Sequence, residues 1–397
     1  MDAQELADIY AFAVQLGKDA GDLLTKAAWD RVDGDPSRGA SSHAQFVEKD
    51  SSVDIVTKTD HGVYLLIADP NRDWSMLMEM TISRRGLCPR FHRRQVPQPQ
   101  VCPHAHRPLR DITDPSPSFI GEETYSAGSS REYLVDASPT WIVDPLDGTV
   151  NFTHLFPMFC VSIAFTLNGE PLVGVINAPF LNQFFSSCRG RGAWFNETHR
   201  LPLVRNPIPP LPDDAPSGCI FSCEWGKDRR EGGEGNLMRK VDSFVTMAAE
   251  RQARGGRGGM VHGMRSLGRY APSPIYSRFD ARAHLTKLSA TLDLAYTAMG
   301  SFDIWWEGGC WEWDVAAGIA ILEEAGGFVT TANPPADPTS HEIPKAHLGG
   351  RLYLAIRPAG PSSKETGLQA QHRVPREEGK QVRQQHCTPY TEIDGEG

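Results

Sequence analysis

Apolar residues near the start of the chain recur at the spacing of one helix face. Leu6, Ile9, Ala13, Ala20 and Leu24 follow this spacing, which predicts an amphipathic helix over residues 4–26. Further along, short apolar runs separated by turn residues are typical of β-strands. These runs cover residues 141–143, 161–167, 172–177, 183–188 and 192–195. Because Asn168-Gly169 between two of them is a strong hairpin signal, we expect an antiparallel meander.

The second half of the chain mixes strand and helix patterns. It predicts strands at 220–224, 260–264, 302–307, 328–331 and 352–356 and a helix at 237–253. A further helix is expected to start at Asp314 as its N-cap and to stop at Gly326 and Gly327. The proline-rich stretch 201–216 looks like a crossing between domains. We therefore predict an N-terminal α+β domain (1–200), a C-terminal α/β domain (201–357) and a disordered tail (358–397).

The composition is that of a globular chain with an acidic balance. The 397 residues carry 40 Lys and Arg against 49 Asp and Glu, a formal net charge of −9. This charge disfavours general binding to nucleic acid or acidic membranes. No apolar run reaches the length of a bilayer span and the N-terminus lacks a signal-peptide pattern, so we expect a cytoplasmic protein. The eight cysteines lack zinc or compact disulfide spacing, which indicates free thiols.

One stretch, residues 141–152, concentrates the candidate chemistry. A buried strand at 141–143 should be stopped by Asp144-Pro145, which delivers an aspartate to the strand end. Asp147 projects near Asp144, and Gly148-Thr149 can open a helical turn with free N–H groups. Two carboxylates beside such a turn indicate a phosphate bridged by magnesium, which prefers hard oxygen ligands. The alternative is that Asp-Pro and Asp-Gly are ordinary turn dipeptides.

The full stretch resembles the Asp-Pro-(Ile/Leu)-Asp-Gly-Thr-x-Asn signature of the inositol monophosphatase family of lithium-sensitive, magnesium-dependent phosphatases. Three further blocks resemble the same family: Asp-x-Val-Thr-x-x-Asp at 54–60, Gly-Glu-Glu at 121–123 and Trp-Asp-x-Ala-Ala-Gly at 313–318. The resemblance implies a layered α-β-α-β-α sandwich and a homodimer. It also implies two or three Mg²⁺ ions and attack by water on the phosphate of myo-inositol monophosphate. Asn151-Phe152 favours the inositol branch of the superfamily.

The resemblance also assigns site residues, position by position. It implies metal ligation by Glu122, Asp144, the carbonyl of Leu146, Asp147, Asp314 and Asp60. It implies catalytic roles for Thr149, Asp60 and Glu122. It implies substrate binding by Lys49, Asp147, Gly148, Thr149, Ser289, Ala290 and Glu307.

Two segments depart from the family pattern. Residues 68–118 are rich in Arg, His and Pro, and residues 269–287 interrupt a motif that lies against the substrate in relatives. We expect the first to be a disordered excursion. Because each segment falls between well-matched blocks, we hypothesise translated introns or a mis-assembled gene model. Sequencing the transcript tests this, since a messenger that encodes both segments would refute it.

Other interpretations remain open at this stage. The protein could be another small phosphomonoester phosphatase of the superfamily, including a relative of the fungal quinate pathway. It could instead be a non-catalytic binding protein that the inserted segments have inactivated. Cys102, His104 and His106 could form a metal site, and the arginines of 84–94 or the Arg-Gly-Gly repeat at 254–259 could bind RNA. We favour loops for all of these segments.

Overall fold

The computed structural model describes residues 1–32, 46–51, 54–57, 59, 62–63, 118–122, 135–225, 230–231, 235–267, 289–331 and 343–378. The helices are α1 (Ala3–Val32), α2 (Thr149–Thr153), α3 (Leu237–Ala248), α4 (Ala253–Gly256), α5 (Ala290–Met299), α6 (Glu312–Ala325) and α7 (Gly367–Glu378). The strands are β1 (Phe46–Ser51), β2 (Asp54–Thr57), β3 (Ser118–Gly121), β4 (Thr140–Asp147), β5 (Cys160–Leu167), β6 (Glu170–Ala178), β7 (Gln183–Cys188), β8 (Gly192–Phe195), β9 (His199–Arg200), β10 (Ile220–Ser222), β11 (Gly263–Arg265), β12 (Ile304–Gly308), β13 (Phe328–Thr330) and β14 (Leu352–Ile356).

Two large sheets organise these elements. The first has seven strands in the order β3-β4-β5-β6-β7-β8-β9, and the second has five in the order β11-β10-β12-β14-β13. In the first sheet β3 and β4 are parallel, and every later neighbouring pair is antiparallel. β1 and β2 form a separate antiparallel hairpin. The predicted meander is therefore confirmed.

The sheets and helices stack in five layers. α1 buries Ile9, Leu16 and Leu24 against one face of the seven-stranded sheet. α5 and α6 lie between the two sheets and share one apolar core with both of them. α3 and α7 cover the outer face of the five-stranded sheet, where Met247 and Val374 are buried. This is the layered α-β-α-β-α arrangement expected from the sequence.

The turn chemistry of the meander follows from its residue types. Asn168 and Gly169 have φ of 56° and 74°, as a tight two-residue hairpin requires. The glycine-rich 254–259 stretch forms the predicted connection between helix and strand: Gly255 and Gly256 also have positive φ, and α4 leads through this stretch toward β11. In the described part of the chain, no helix is long and apolar enough to cross a membrane.

Several predicted boundaries are wrong: the helix predicted at 237–253 ends at Ala248, and the strands predicted at 220–224 and 260–264 are Ile220–Ser222 and Gly263–Arg265. α1 continues to Val32 rather than residue 26. The disorder predicted from residue 358 does not hold for 358–378, because α7 packs Ala370 and Val374 into the outer core. Gln371 Nε2 also donates to the carbonyls of Gly326 and Arg357, both at 2.9 Å. Of the two off-pattern segments, only Ser118, in β3, lies within the described residues.

Candidate metal centre

The strand that carries the first two aspartates does not stop at the proline. β4 runs through Asp144 and Pro145 to Asp147, so the predicted strand end at Asp144 is wrong. Pairing with β5 aligns Asp144 with Ser162 and Asp147 with Cys160. Between these two pairs β4 advances by three residues and β5 by two, so β4 contains a β-bulge. Proline is tolerated at a bulge because no ladder N–H is needed there, and a bulge redirects the neighbouring side chains.

The turn after Asp147 depends on glycine. Gly148 has a φ of +82°, and a Cβ at this position would lie 2.7 Å from the carbonyl oxygen of Met158. Only glycine avoids both the strained conformation and the clash. α2 then begins at Thr149, which confirms the predicted helical turn. Thr149 Oγ1 donates to the Leu146 carbonyl at 3.0 Å, and Leu146 N donates to Asp144 Oδ1 at 3.1 Å.

The third aspartate comes from the first turn of α6. We expected Asp314 to be the N-cap, but the N-cap is Trp311 and Asp314 is the third helical residue. The backbone N–H of Trp311 donates to Asp314 Oδ2 at 2.7 Å. This contact supplies the acceptor that a backbone N–H at the start of a helix lacks within the helix itself. It also fixes the Asp314 carboxylate while leaving its other oxygen available.

Asp144, Asp147 and Asp314 meet in one buried cluster. One carboxylate oxygen of each lies within 4.8 Å of the others, and their exposed fractions are 0%, 0% and 5%. Asp147 Oδ1 and Asp314 Oδ1 are buried without a hydrogen-bond donor among the described residues. Burial, followed by the charge of Asp314, raises the pKa of Asp147 to about 8. Such a donor set fits a divalent cation with hard oxygen ligands.

Glu122 follows β3, the strand that pairs with the aspartate-bearing β4. β3 pairs in parallel with β4, and Gly121 faces Val143, so the next residues along the two strands are Glu122 and Asp144 respectively. Glu122 is buried, although the cluster of three aspartates does not include it. The predicted residue Asp60 and the side chain of Lys49 lie outside the described part of the chain, although Lys49 belongs to β1. Their predicted roles stay predictions.

A family model described as the inositol monophosphatase family matches residues 112–376. The chain belongs to this family. Quinic acid degradation cluster protein x of Neurospora crassa is 54% identical over 386 residues, or 96% of this chain and 95% of that protein. Inositol monophosphatase 2 of Saccharomyces cerevisiae is 37% identical over 243 residues, or 61% of this chain and 68% of that protein. The resemblance seen in the motifs is thereby confirmed.

The fold comparison agrees with this membership. The solved inositol monophosphatase from Anabaena (Nostoc) sp. PCC 7120 matches with a TM-score of 0.54 at 22% identity, covering 95% of this chain and 97% of that one. The layered fold is therefore that of the inositol monophosphatases. The family acts on small phosphate esters and is typically metal-dependent, so the buried aspartate cluster belongs to a phosphatase of small phosphomonoesters.

One predicted substrate-binding residue of this inositol monophosphatase family member, Ser289, contacts the aspartate cluster directly. Ser289 and Ala290 are buried at the start of α5. Ser289 Oγ donates to Asp147 Oδ2 at 2.9 Å and accepts from Leu292 N at 3.3 Å. The hydroxyl therefore caps the helix and holds a carboxylate of the cluster at the same time. Cys160 Sγ lies 3.8 Å from the same Asp147 oxygen.

Glu307, another predicted substrate-binding residue, lies on β12. It is 2% exposed and its carboxylate forms an ion pair with Lys240, which is itself 1% exposed. Glu307 Oε2 also accepts from the Glu224 N–H at 2.8 Å. Sequence reasoning missed Lys240 and Glu224. A signal was available, because Lys240 and the buried Met247 are seven residues apart on α3, so the lysine falls on the apolar face of this helix.

Proposed function

We propose that the protein is a magnesium-dependent phosphatase that hydrolyses myo-inositol monophosphate to inositol and phosphate. The observation that carries the proposal is the convergence of Asp144, Asp147 and Asp314, with two buried carboxylate oxygens that have no donor among the described residues. Three ionised carboxylates this close repel one another, and either a bound cation or protonation of Asp147 relieves that repulsion. Oxygen-only ligation with room for phosphate suits Mg²⁺. Glu122 and the Leu146 carbonyl complete the proposed ligand set.

The Leu146 carbonyl can serve two partners. It accepts the hydrogen bond from Thr149 Oγ1, and a carbonyl oxygen has a second lone pair that can face a cation. The Thr149 hydroxyl donates a hydrogen bond to this carbonyl, and a hydroxyl oxygen also has lone pairs that accept hydrogen bonds. We propose that Thr149 Oγ1 accepts a hydrogen bond from the attacking water and so orients that water toward phosphorus. Asp60 is proposed to support Thr149 in this role, as the family resemblance implies.

The remaining steps need positive charge and a fixed phosphate. When bound, magnesium neutralises phosphate charge and favours ionisation of the attacking water. The backbone N–H groups of Gly148 and Thr149, at the start of α2, are proposed to hold the phosphate oxygens. Lys49 is proposed to lie near the phosphate. Ser289 keeps Asp147 oriented through its hydrogen bond.

A second substrate is favoured by one comparison. The Neurospora relative that matches 96% of this chain is named for quinic acid degradation. A phosphate ester of a ring acid related to quinic acid is therefore the alternative substrate. Both candidates are small phosphorylated rings that carry several hydroxyl groups, and both use the same metal centre. The proposed homodimer and lithium sensitivity rest on the family resemblance, and the proposed cytoplasmic location rests on the sequence patterns described above.

The experiment compares phosphate release from three esters by the purified full chain with Mg²⁺. We expect kcat/KM for myo-inositol 1-phosphate to exceed that for a quinic acid phosphate and for p-nitrophenyl phosphate, and we expect lithium to inhibit turnover. Higher kcat/KM for the quinic acid ester would assign the alternative substrate. No turnover of any ester by folded protein, together with salt-sensitive nucleic-acid binding that is lost on deleting residues 68–118, would support a non-catalytic binding protein.

A further inference from the structure

Lys240 is a buried cation that the family motifs do not explain. Its side chain is 1% exposed, and its ammonium group donates to Glu307 Oε1 and to the carbonyl oxygen of Glu224. A buried charge is costly unless it is paired and hydrogen-bonded. Burial alone would lower the pKa of Lys240, but the charge of Glu307 raises it above its ordinary value. Lys240 is therefore held in its charged form against Glu307.

Glu307 is surrounded by hydrogen-bond donors. Oε1 accepts from Lys240 and from the Gly308 N–H at 3.2 Å, and Oε2 accepts from the Glu224 N–H at 2.8 Å. Because all three of these partners are N–H donors, the carboxyl group is an ionised acceptor. Burial raises the pKa of Glu307 and the charge of Lys240 opposes that rise. An ionised carboxylate offers about four acceptor positions, so the described residues leave one position on Oε2.

This ion pair is connected to the metal motif through two residues. Glu224 Oε1 accepts from the Leu267 N–H. The Leu267 carbonyl accepts from Asn151 Nδ2 at 3.1 Å, and Asn151 lies in α2, two residues after Thr149. The Glu224 side chain also accepts from Ser266 Oγ at 2.8 Å. These hydrogen bonds link the Lys240–Glu307 pair to α2, the helix that begins at Thr149.

We propose that Lys240 is a positioning residue for substrate selection: it holds Glu307 ionised and in one orientation, so that the remaining acceptor position binds one hydroxyl group of a phosphorylated ring polyol. This inference rests on the proposed function. Lys240 makes no contact with substrate. The pair therefore favours esters that carry a ring hydroxyl, while an ester without hydroxyl groups gains nothing from it.

The test compares two substrates across a double-mutant cycle. The variants are Lys240→Met, Glu307→Gln and the double variant, each in the full chain with saturating Mg²⁺. We expect Lys240→Met to raise KM for myo-inositol 1-phosphate about tenfold, the scale of one charge-assisted hydrogen bond. The increase in KM for p-nitrophenyl phosphate should be smaller by a factor of about five or more. Once Glu307 is replaced, removing Lys240 should cause no further change in the ratio of the two KM values.

A pH profile separates positioning from a general structural role. Among the described residues, the titratable groups that interact with the pair are Cys223 and Glu224 after β10, Asp293 on α5 and Cys310 before α6. Without Lys240, the pKa of Glu307 should rise further. In Lys240→Met, the ratio of the KM for myo-inositol 1-phosphate to the KM for p-nitrophenyl phosphate should then rise as the pH falls from about 8.5 to about 6.5. Variants that carry Glu307→Gln keep a constant ratio over this range because they have no carboxyl group to protonate.

The outcomes are distinguishable. Equal increases in KM for both substrates, or an unchanged KM ratio in Lys240→Met, overturn the positioning role while the proposed function stands. If Lys240→Met does not fold, the KM ratio is measured in the double variant instead, because that variant buries no unpaired charge. A double variant with the wild-type KM ratio overturns the proposal. Wild-type turnover of p-nitrophenyl phosphate without turnover of inositol phosphate overturns both the proposed function and this inference.

Discussion

Ser289 Oγ donates to Asp147 Oδ2 at 2.9 Å, across 142 positions of sequence. Ser289 is the first described residue after position 267 and the N-cap of α5. The hydroxyl thus joins the helix between the sheets to the aspartate at the end of β4. Asp147 needs this support because its carboxylate is fully buried beside Asp314. The bond links folding of the C-terminal half to the geometry of the metal centre.

Replacing Ser289 with alanine should weaken metal binding and stability together. The variant loses a hydrogen bond to a charged group and a helix N-cap, which together are worth about 2–3 kcal/mol. We expect the Mg²⁺ concentration for half-maximal phosphate release to rise about tenfold, with activity partly restored at high Mg²⁺. Ser301→Ala, exposed just past the far end of α5, is the matched control. Equal Mg²⁺ dependence in the two variants would contradict the role of Ser289.

The turn at Gly148 should be intolerant of any side chain. Gly148→Ala combines an unfavourable φ of +82° with a 2.7 Å approach to the Met158 carbonyl oxygen. Gly169→Ala is the matched control, because Gly169 has a φ of +74° but a Cβ added there would meet no atom of the described residues within 4 Å. The control should lose about 1 kcal/mol of unfolding free energy. Gly148→Ala should lose clearly more, measured by urea denaturation, and equal losses would show that the close approach is unimportant.

The metal-free protein should become less stable as the pH rises toward 8. Burial raises the pKa of Asp147 in the folded state to about 8, against about 4 in an unfolded chain. The folded state therefore binds the proton more tightly, and this stabilisation is lost between about pH 4 and pH 8. One proton limits the slope to about 1.4 kcal/mol per pH unit. Melting temperatures in EDTA should fall from pH 6 to pH 8.

Magnesium and the isosteric variant should change that slope in defined ways. Mg²⁺ requires ionised ligands, so it should raise the melting temperature more at pH 8 than at pH 6. Asp147→Asn cannot ionise and should flatten the slope in EDTA. Burial also raises the pKa of Asp293, so the difference between wild type and Asp147→Asn is the relevant quantity. Identical slopes for the two proteins would refute the assignment to Asp147.

The features that could be predicted from the sequence depend on local chemistry. The Asn168-Gly169 hairpin and the Gly148 turn need backbone conformations that few residue types adopt, so the residue types at these positions predict the turns. α7 was missed because its buried apolar residues, chiefly Ala370 and Val374, give a weak pattern in a polar segment that contains Pro375. Its order comes from packing on the five-stranded sheet, which the local sequence does not encode.

In the candidate site too, some features could be predicted from the sequence and others could not. The motif residues Asp144, Asp147 and Asp314 were found by resemblance, and the structure brings them together. The bulge at Pro145 was missed because β4 gains an extra residue only relative to β5, a relation between strands. The Lys240–Glu307 pair was missed for a similar reason, since it joins α3 to β12 over 67 positions. Contacts between distant elements are set by tertiary packing and leave little local signal.

The most direct test measures the Mg²⁺ dependence of phosphate release from myo-inositol 1-phosphate by wild type and Asp314→Asn. Asp22→Asn, exposed on α1, is the control for loss of one acidic group. We predict saturable Mg²⁺ dependence in wild type and in the control. Asp314→Asn should need at least about tenfold more Mg²⁺ or should show no turnover. Full activity of wild type in EDTA, or unchanged Mg²⁺ dependence in Asp314→Asn, would contradict the metal centre.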